Sequence, residues 1–390
     1  MMNPRMTKNL VMLGLLFLSI ILLSQVKLSV PLYDYIEYWS AGLLNIRGQN
    51  PYDPSLLLEL QRVHGWTLEG PLMMWNPPWI LAILMPFSLF AYSHSRLIWF
   101  FISVGILVFA IAQSWHLYQG SPKKIWVGLL IGLLFTPALL ALMLGQTTPW
   151  ILLGLMGFLL FIDKPRSLWI AGAWAALITL KPQLFYLFWV VLLLWSFENK
   201  SWQILIGCSA SVAAGLMFAS LFNPDVLLEY IRALINYPPE YFATPTLGFL
   251  LRALFGYDHF WLQFLPPSLA IIWAVFYWRN KHSSWNWQRE IPLLLFVSII
   301  TSSYTWNHDQ LILVPALMQT TILLLLPRKR WKTILFFLIF LVINYANFLI
   351  HQRLDESWVV WMGPVMFGLY LYASHGHPTA GTQTQEASPA

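Results

Sequence analysis

The sequence predicts an all-α, polytopic helical membrane protein, and three observations carry that prediction. Hydrophobic residues form 58% of the 390-residue chain and charged residues only 10%. Mean hydropathy is +0.63. Apolar blocks recur along nearly the whole chain, and hydrocarbon about 30 Å thick needs roughly 20 apolar helical residues. A membrane-spanning barrel would instead show short segments of alternating polarity. About 11 to 13 transmembrane or re-entrant helices are expected, with further helices lying at the outer membrane surface.

The first block, from about Leu10 to Leu23, follows Arg5 and Lys8 and has no small-residue cleavage site after it, so it is expected to stay as an anchor. Later blocks centre near Leu84, Val108, Leu133, Leu155, Ala175, Val190, Ala213, Ile272, Phe296, Leu317, Phe340 and Val365. The blocks from Leu168 to Leu180 and from Leu184 to Trp195 are short for a span and flank Lys181-Pro182-Gln183. They read as a tight pair of short helices or as one kinked helix. Two connections, 25–78 and 223–260, are long enough to carry structure. In the first, Trp39, Leu43 and Leu44 recur at helical spacing, and in the second Leu247, Leu250, Leu251 and Leu254 do so around Arg252, which suits helices lying on the membrane. One transmembrane domain, 1–374, is expected to precede a disordered Thr-, Gln- and Pro-containing tail, 375–390.

The single cysteine, Cys208, excludes an intrachain disulfide. Lys and Arg number 22 against 16 Asp and Glu, and they collect in short loops such as Lys123-Lys124 and Arg328-Lys329-Arg330. That pattern reads as a positive-inside topology signal and not as a nucleic-acid surface. It places Asp34, Gly145-Gln146, Lys181, the 223–260 loop and His308 on the opposite, outer face. A full crossing near Leu84 would put Lys123-Lys124 on the wrong side, so that short block is expected to be re-entrant, unless a boundary is displaced.

In so apolar a chain, ionisable groups are the places to look for chemistry. Asp34 and Glu37 lie three apart in Tyr33-Asp34-Tyr35-Ile36-Glu37-Tyr38-Trp39, so a helix puts them on one face. A carboxylate at the lipid edge can take a proton from an attacking hydroxyl. Its plain alternative is to cap or solvate a surface helix, the reading preferred for Glu37, while Asp53 reads as a turn residue in Pro51-Tyr52-Asp53-Pro54. Lys181 reads first as a snorkelling lysine and second as a partner for a lipid phosphate. His308, in Tyr304-Thr305-Trp306-Asn307-His308-Asp309, reads first as a member of an aromatic belt and second as a phosphate or sugar ligand.

Taken together and in order, Asp34-Tyr35 with Tyr38, Gly48-Gln49-Asn50-Pro51-Tyr52, Asn76-Pro77-Pro78, Gly145-Gln146, Lys181-Pro182-Gln183 and Thr305-Trp306-Asn307-His308 resemble the motifs of glycosyltransferase family 87. This family lies in the GT-C superfamily of polyprenyl-phosphate-sugar-dependent enzymes and includes mycobacterial mannosyltransferases. The resemblance spans roughly residues 30 to 320. It departs from the pattern at Asn76, where the family has Tyr, and at Asp309, where a second His often follows.

The resemblance implies transfer of a mannose-like hexose from a polyprenyl-phosphate donor to a lipid or glycan acceptor, with inversion, at the extracytoplasmic face of a bacterial plasma membrane. Asp34 would be the general base and Lys181 and His308 would hold the donor phosphate. Gln146, Gln183, Glu37 and Arg252 would complete substrate binding. No cofactor and no metal is implied, and the only partners are the donor, the acceptor and membrane lipids. The competing readings are a transporter or flippase, which would place its ionisable groups nearer the bilayer midplane, and a non-catalytic scaffold for lipid-linked sugars.

Overall fold

The apolar blocks become helices because backbone amides and carbonyls removed from water must be paired within their own segment. In the computed structural model, which describes residues 33–238, 243–325 and 330–375, every predicted centre from Leu84 to Val365 lies inside a helix, and no strand occurs among the described residues. The anchor predicted near Phe17 and the tail beyond His375 lie outside the described residues.

In chain order the helices are α1 (Tyr35–Ile46), α2 (Pro54–Val63), α3 (Leu81–Ser88), α4 (Tyr92–Leu117), α5 (Ile125–Leu133) and α6 (Thr136–Leu144). There follow α7 (Thr148–Phe161), α8 (Leu168–Ile178), α9 (Tyr186–Glu198), α10 (Trp202–Ser220), α11 (Val226–Asn236) and α12 (Leu247–Phe255). The last are α13 (Leu265–Lys281), α14 (Trp287–Thr301), α15 (Val314–Leu325), α16 (Arg330–Arg353) and α17 (Met362–His375).

Among the described residues, five helical segments are long and apolar enough to cross a membrane: Tyr92–Leu117, Trp202–Ser220, Phe260–Ser284, Asn307–Leu325 and Thr333–Arg353. Pro122–Leu133 and Thr136–Leu144 are together apolar and long enough but bent by 63°, the shape of a broken span or of a re-entrant loop. Where one block near Leu133 was read from sequence, Thr136 ends the straight run. Its amide and hydroxyl both bond Asn344 on α16, at 2.7 Å each. Pro78–Ser88 is too short to cross, since 1.5 Å of rise per residue carries it only about 16 Å. This fits the re-entrant alternative. The motif Lys181-Pro182-Gln183 separates two short helices, α8 and α9, because Pro182 pushes Lys181 out of the helical region (φ −138°, ψ 74°).

The chain forms two compact units, one of Met1–Val104, Leu142–Gln146 and Gly215–Asn236, the other of Gly105–Ala141, Thr147–Ala214 and Tyr237–Ala390. In the first unit α1 is enclosed on nearly every side, whereas the sequence predicts a helix on the membrane surface. Asn45 donates to Ala219 O at 3.0 Å, and Gly42 leaves room for Ser88, whose hydroxyl donates to Trp39 O at 2.9 Å. The 3.6-residue period was real, but the second face is covered by α3 and α10 and not by water.

In the second unit glycines set the helix spacing. A Cβ on Gly172 of α8 would stand 2.1 Å from Ile204 O of α10, and one on Gly207 of α10 2.4 Å from Trp169 O of α8. The segment Asn307–Leu325 is the enclosed one, with 83% of its apolar window buried against 22–33% for the other spans. Much of the tryptophan content is packing: Trp287 is ringed by Phe158, Phe188, Trp195 and Trp285.

Candidate active site

Asp34 stands at the N-cap of α1, tied by its own amide to Leu144 O at 3.0 Å. Its side chain does not cap the helix. Instead Oδ2 accepts from Gln146 Nε2 at 2.6 Å, and Gln146 Oε1 accepts from the Tyr38 hydroxyl at 2.9 Å. A phenol facing an amide oxygen donates, so Tyr38 fixes which end of Gln146 faces the carboxylate. Gln146 is delivered by Gly145 (φ +76°), a left-handed position that glycine adopts freely. Trp99 Nε1 pins the Gly145 carbonyl at 2.9 Å. Thus Asp34-Tyr35…Tyr38 and Gly145-Gln146, more than a hundred residues apart in sequence, form one hydrogen-bonded group on the first unit.

Around it the aromatics are neutral donors. Burial pushes the Tyr35 hydroxyl well above the usual phenol range, opposed by its hydrogen bond with Ser95. Tyr52 is likewise pushed up, first by burial and then by Tyr230 and Glu229, and it donates to Asn76 O at 3.0 Å. The Pro51-Tyr52 and Asn76-Pro77-Pro78 motifs therefore meet. Asp53 is the N-cap of α2, accepting from Ser55 N at 2.8 Å and Leu56 N at 3.0 Å, which refines its reading as a turn residue. Glu37 is buried in the first turn of α1, where the helix dipole favours a carboxylate.

The second unit gathers Lys181 and His308 around a residue that sequence reasoning passed over. Lys181 Nζ and Asp309 Oδ1 are 2.7 Å apart, with side-chain exposures of 9% and 0%. The same carboxylate accepts from Thr148 Oγ1 at 3.1 Å and Trp306 N at 3.1 Å, and His308 Nε2 lies 3.5 Å from it. Lys181 also sits 6.0 Å from the centre of the Trp306 ring, which stacks on His308. The snorkelling reading of Lys181 fails here, because the ammonium is turned into protein. A buried acid at the head of the most enclosed span is itself a sequence signal, since such a charge requires a partner.

Further contacts hold the 302–309 loop. Asn307 and Asn347 of α16 exchange side-chain amide bonds at 2.6 and 3.0 Å, and Asn307 N donates to Glu356 Oε2 at 3.2 Å. Ser302 donates to the Gln183 carbonyl at 3.0 Å, so Gln183 contributes its backbone to the loop.

Arg252 is buried within its own segment. It donates to Tyr257 O at 3.0 Å from Nη2 and to Gln263 Oε1 at 3.4 Å from Nη1, and lies 5.0 Å from the centre of the Phe260 ring. Gln263 in turn donates to Ser303 O. In α12 Leu250 and Leu254 face outward, as a helix lying on the membrane would have them, while Arg252 turns into the protein. Among the described residues no three His, Cys, Asp or Glu side chains converge as metal ligands do.

The sequence model of glycosyltransferase family 87 matches residues 75–303, more than half of the chain. The match contains Asn76-Pro77-Pro78, Gly145-Gln146, Lys181-Pro182-Gln183 and Arg252, while Asp34, His308 and Asp309 lie outside it. No curated protein and no solved structure matches the chain. The match, joined to a polytopic helical fold, shows that the chain belongs to glycosyltransferase family 87 and is a membrane glycosyltransferase.

Proposed function

We propose that this glycosyltransferase moves a mannose-like hexose from a polyprenyl-phosphate sugar to the hydroxyl of a lipid or glycan acceptor, at the extracytoplasmic face of the plasma membrane. The observation that carries the reading is the Tyr38–Gln146–Asp34 chain. It presents a half-exposed carboxylate at the start of a rigid, enclosed helix, and the group that orients it comes from a distant motif. A carboxylate so held suits a general base.

In the proposed step the acceptor oxygen attacks the anomeric carbon from the face opposite the phosphate, and Asp34 takes the hydroxyl proton. The new carbon–oxygen bond forms as the bond to phosphate breaks. Polyprenyl phosphate leaves with the electron pair, and the anomeric centre inverts. Lys181 and His308 hold the departing phosphate through charge-assisted contacts. Because Asp309 already offsets the Lys181 charge, His308 supplies the added positive charge when protonated. Glu37, Gln146, Gln183 and Arg252 shape the substrate-binding surroundings, with Arg252 acting through Gln263 and the 302–309 loop.

The test is to reconstitute the purified full chain in lipid nanodiscs and supply radiolabelled polyprenyl-phosphate mannose with a mixed lipid acceptor extract. Labelled product with inverted anomeric configuration, and none from Asp34→Asn, is the expected result. Transfer from a nucleotide sugar but not from the polyprenyl donor would overturn the donor assignment.

A further inference from the structure

Beside α5 the second unit has a groove that the transferase reading does not use. It holds about 400 Å³ and is lined by Lys124, Trp126, Val127 and Leu130, with Leu325 at the end of α15 and Phe337 on α16. The two sides are fixed. Thr136 is bonded to Asn344, Phe135 stacks on Phe340 at 6.5 Å, and Thr333 donates to Leu324 O at 2.9 Å. The groove is therefore part of the fold.

Its lining is apolar, and a charged turn lies beside it. Lys123 and Lys124 form an exposed turn, Trp126 is 62% exposed just beyond it, and Leu130 stands one turn deeper at 47% exposure. An indole next to a pair of lysines, followed by aliphatic wall, is the order of groups met on passing from lipid headgroups into hydrocarbon. The flanking surface continues the pattern, with Leu134 on one side and Ile334, Leu335 and Leu338 on the other all exposed. One wall is supplied by helices long and apolar enough to cross a membrane, and the other by the first half of the bent pair.

The charge is one-sided. From Gly70 to Ile162 and from Gln310 to Leu354 the chain contains no Asp or Glu, so the stretches that supply both walls carry cations only. Neither lysine of the turn makes an ion pair among the described residues. We propose that this groove is a binding site for an anionic glycerophospholipid, its phosphate held at Lys123 and Lys124 and an acyl chain laid between Leu130 and Phe337. A zwitterionic lipid carries the same chains but brings no net charge to match the cations. The proposal is independent of the donor and base assignments above.

To test it, the full chain would be stripped of co-purified lipid and reconstituted in nanodiscs of phosphatidylcholine carrying small amounts of spin-labelled phosphatidylglycerol or spin-labelled phosphatidylcholine. Wild type is expected to hold a motionally restricted phosphatidylglycerol with roughly fivefold or greater preference over phosphatidylcholine, following the worth of a surface cation toward anionic lipid. Lys123→Gln with Lys124→Gln, both at exposed positions, should abolish the preference while leaving the protein folded. Leu130→Trp, which fills the apolar part, should lower restricted lipid of both kinds. Equal binding of the two lipids by wild type would overturn the proposal, as would a preference that survives the double substitution or restricted lipid unchanged in Leu130→Trp.

Discussion

Asp34 and Lys181 are both single charges beside a membrane, yet their surroundings give them different predicted behaviour. Asp34 is half-exposed and accepts a hydrogen bond from the neutral Gln146 amide. Asp34→Asn is expected to lower transfer about 100-fold or more while donor binding and folding persist, since the amide keeps the shape but cannot take the proton. Glu37→Gln should cost less; a dead Glu37→Gln beside an active Asp34→Asn would transfer the base role to Glu37. Lys181 differs because its partner is fully buried. Lys181→Ala strands the Asp309 charge and is expected to destabilise the protein by about 3–5 kcal/mol, read as a lowered thermal midpoint. Pairing Lys181→Met with Asp309→Asn removes both charges and keeps the acceptor for Trp306 N, so stability should largely return. Donor affinity in that double variant should still fall roughly 10- to 100-fold. Normal donor affinity there would show that Lys181 serves the fold alone.

At the scale of elements, the site depends on how short segments end. Gly145 lies between α6 and α7 with φ +76°, and Gln146 reaches Asp34 only because the chain turns there. Gly145→Ala should cost about 1–2 kcal/mol by forcing a side chain into the left-handed region. It should also reduce transfer without touching a reacting group, and the loss should fall in kcat more than in KM. An unchanged kcat would mean that Gln146 is not needed to orient the carboxylate. The Lys181-Pro182-Gln183 break has the same logic: with Pro182 next in the chain Lys181 leaves the helical conformation, and its side chain reaches Asp309.

On the scale of the whole molecule, the basic loops predict which face carries the chemistry. In a Cys208→Ser background, cysteines placed at Asn50 and Asn236 should react with a membrane-impermeant thiol reagent added outside, and a cysteine at Lys329 should not. Lys329 lies outside the described residues, so its position is argued from charge alone. Labelling of Asn50 and Lys329 from the same side would overturn the topology and with it the extracytoplasmic site.

The sequence by itself determined the all-helical membrane class, a helix at every predicted centre from Leu84 to Val365, and the family. Those properties rest on hydropathy over a span and on local punctuation by Pro, Gly and basic residues, which act within a few turns of chain. It also singled out Asp34, Gln146, Lys181 and His308 as residue types out of place in apolar surroundings. Only the tertiary structure decided their partners. That Gln146 and Tyr38 hold Asp34, that Lys181 is claimed by Asp309, and that Arg252 points inward are pairings across five to more than a hundred residues. The same holds for α1, whose amphipathic pattern does not say whether water or another helix covers its polar side. Burial is a property of what packs against a residue, and a buried charge must find a counter-charge wherever the fold brings one.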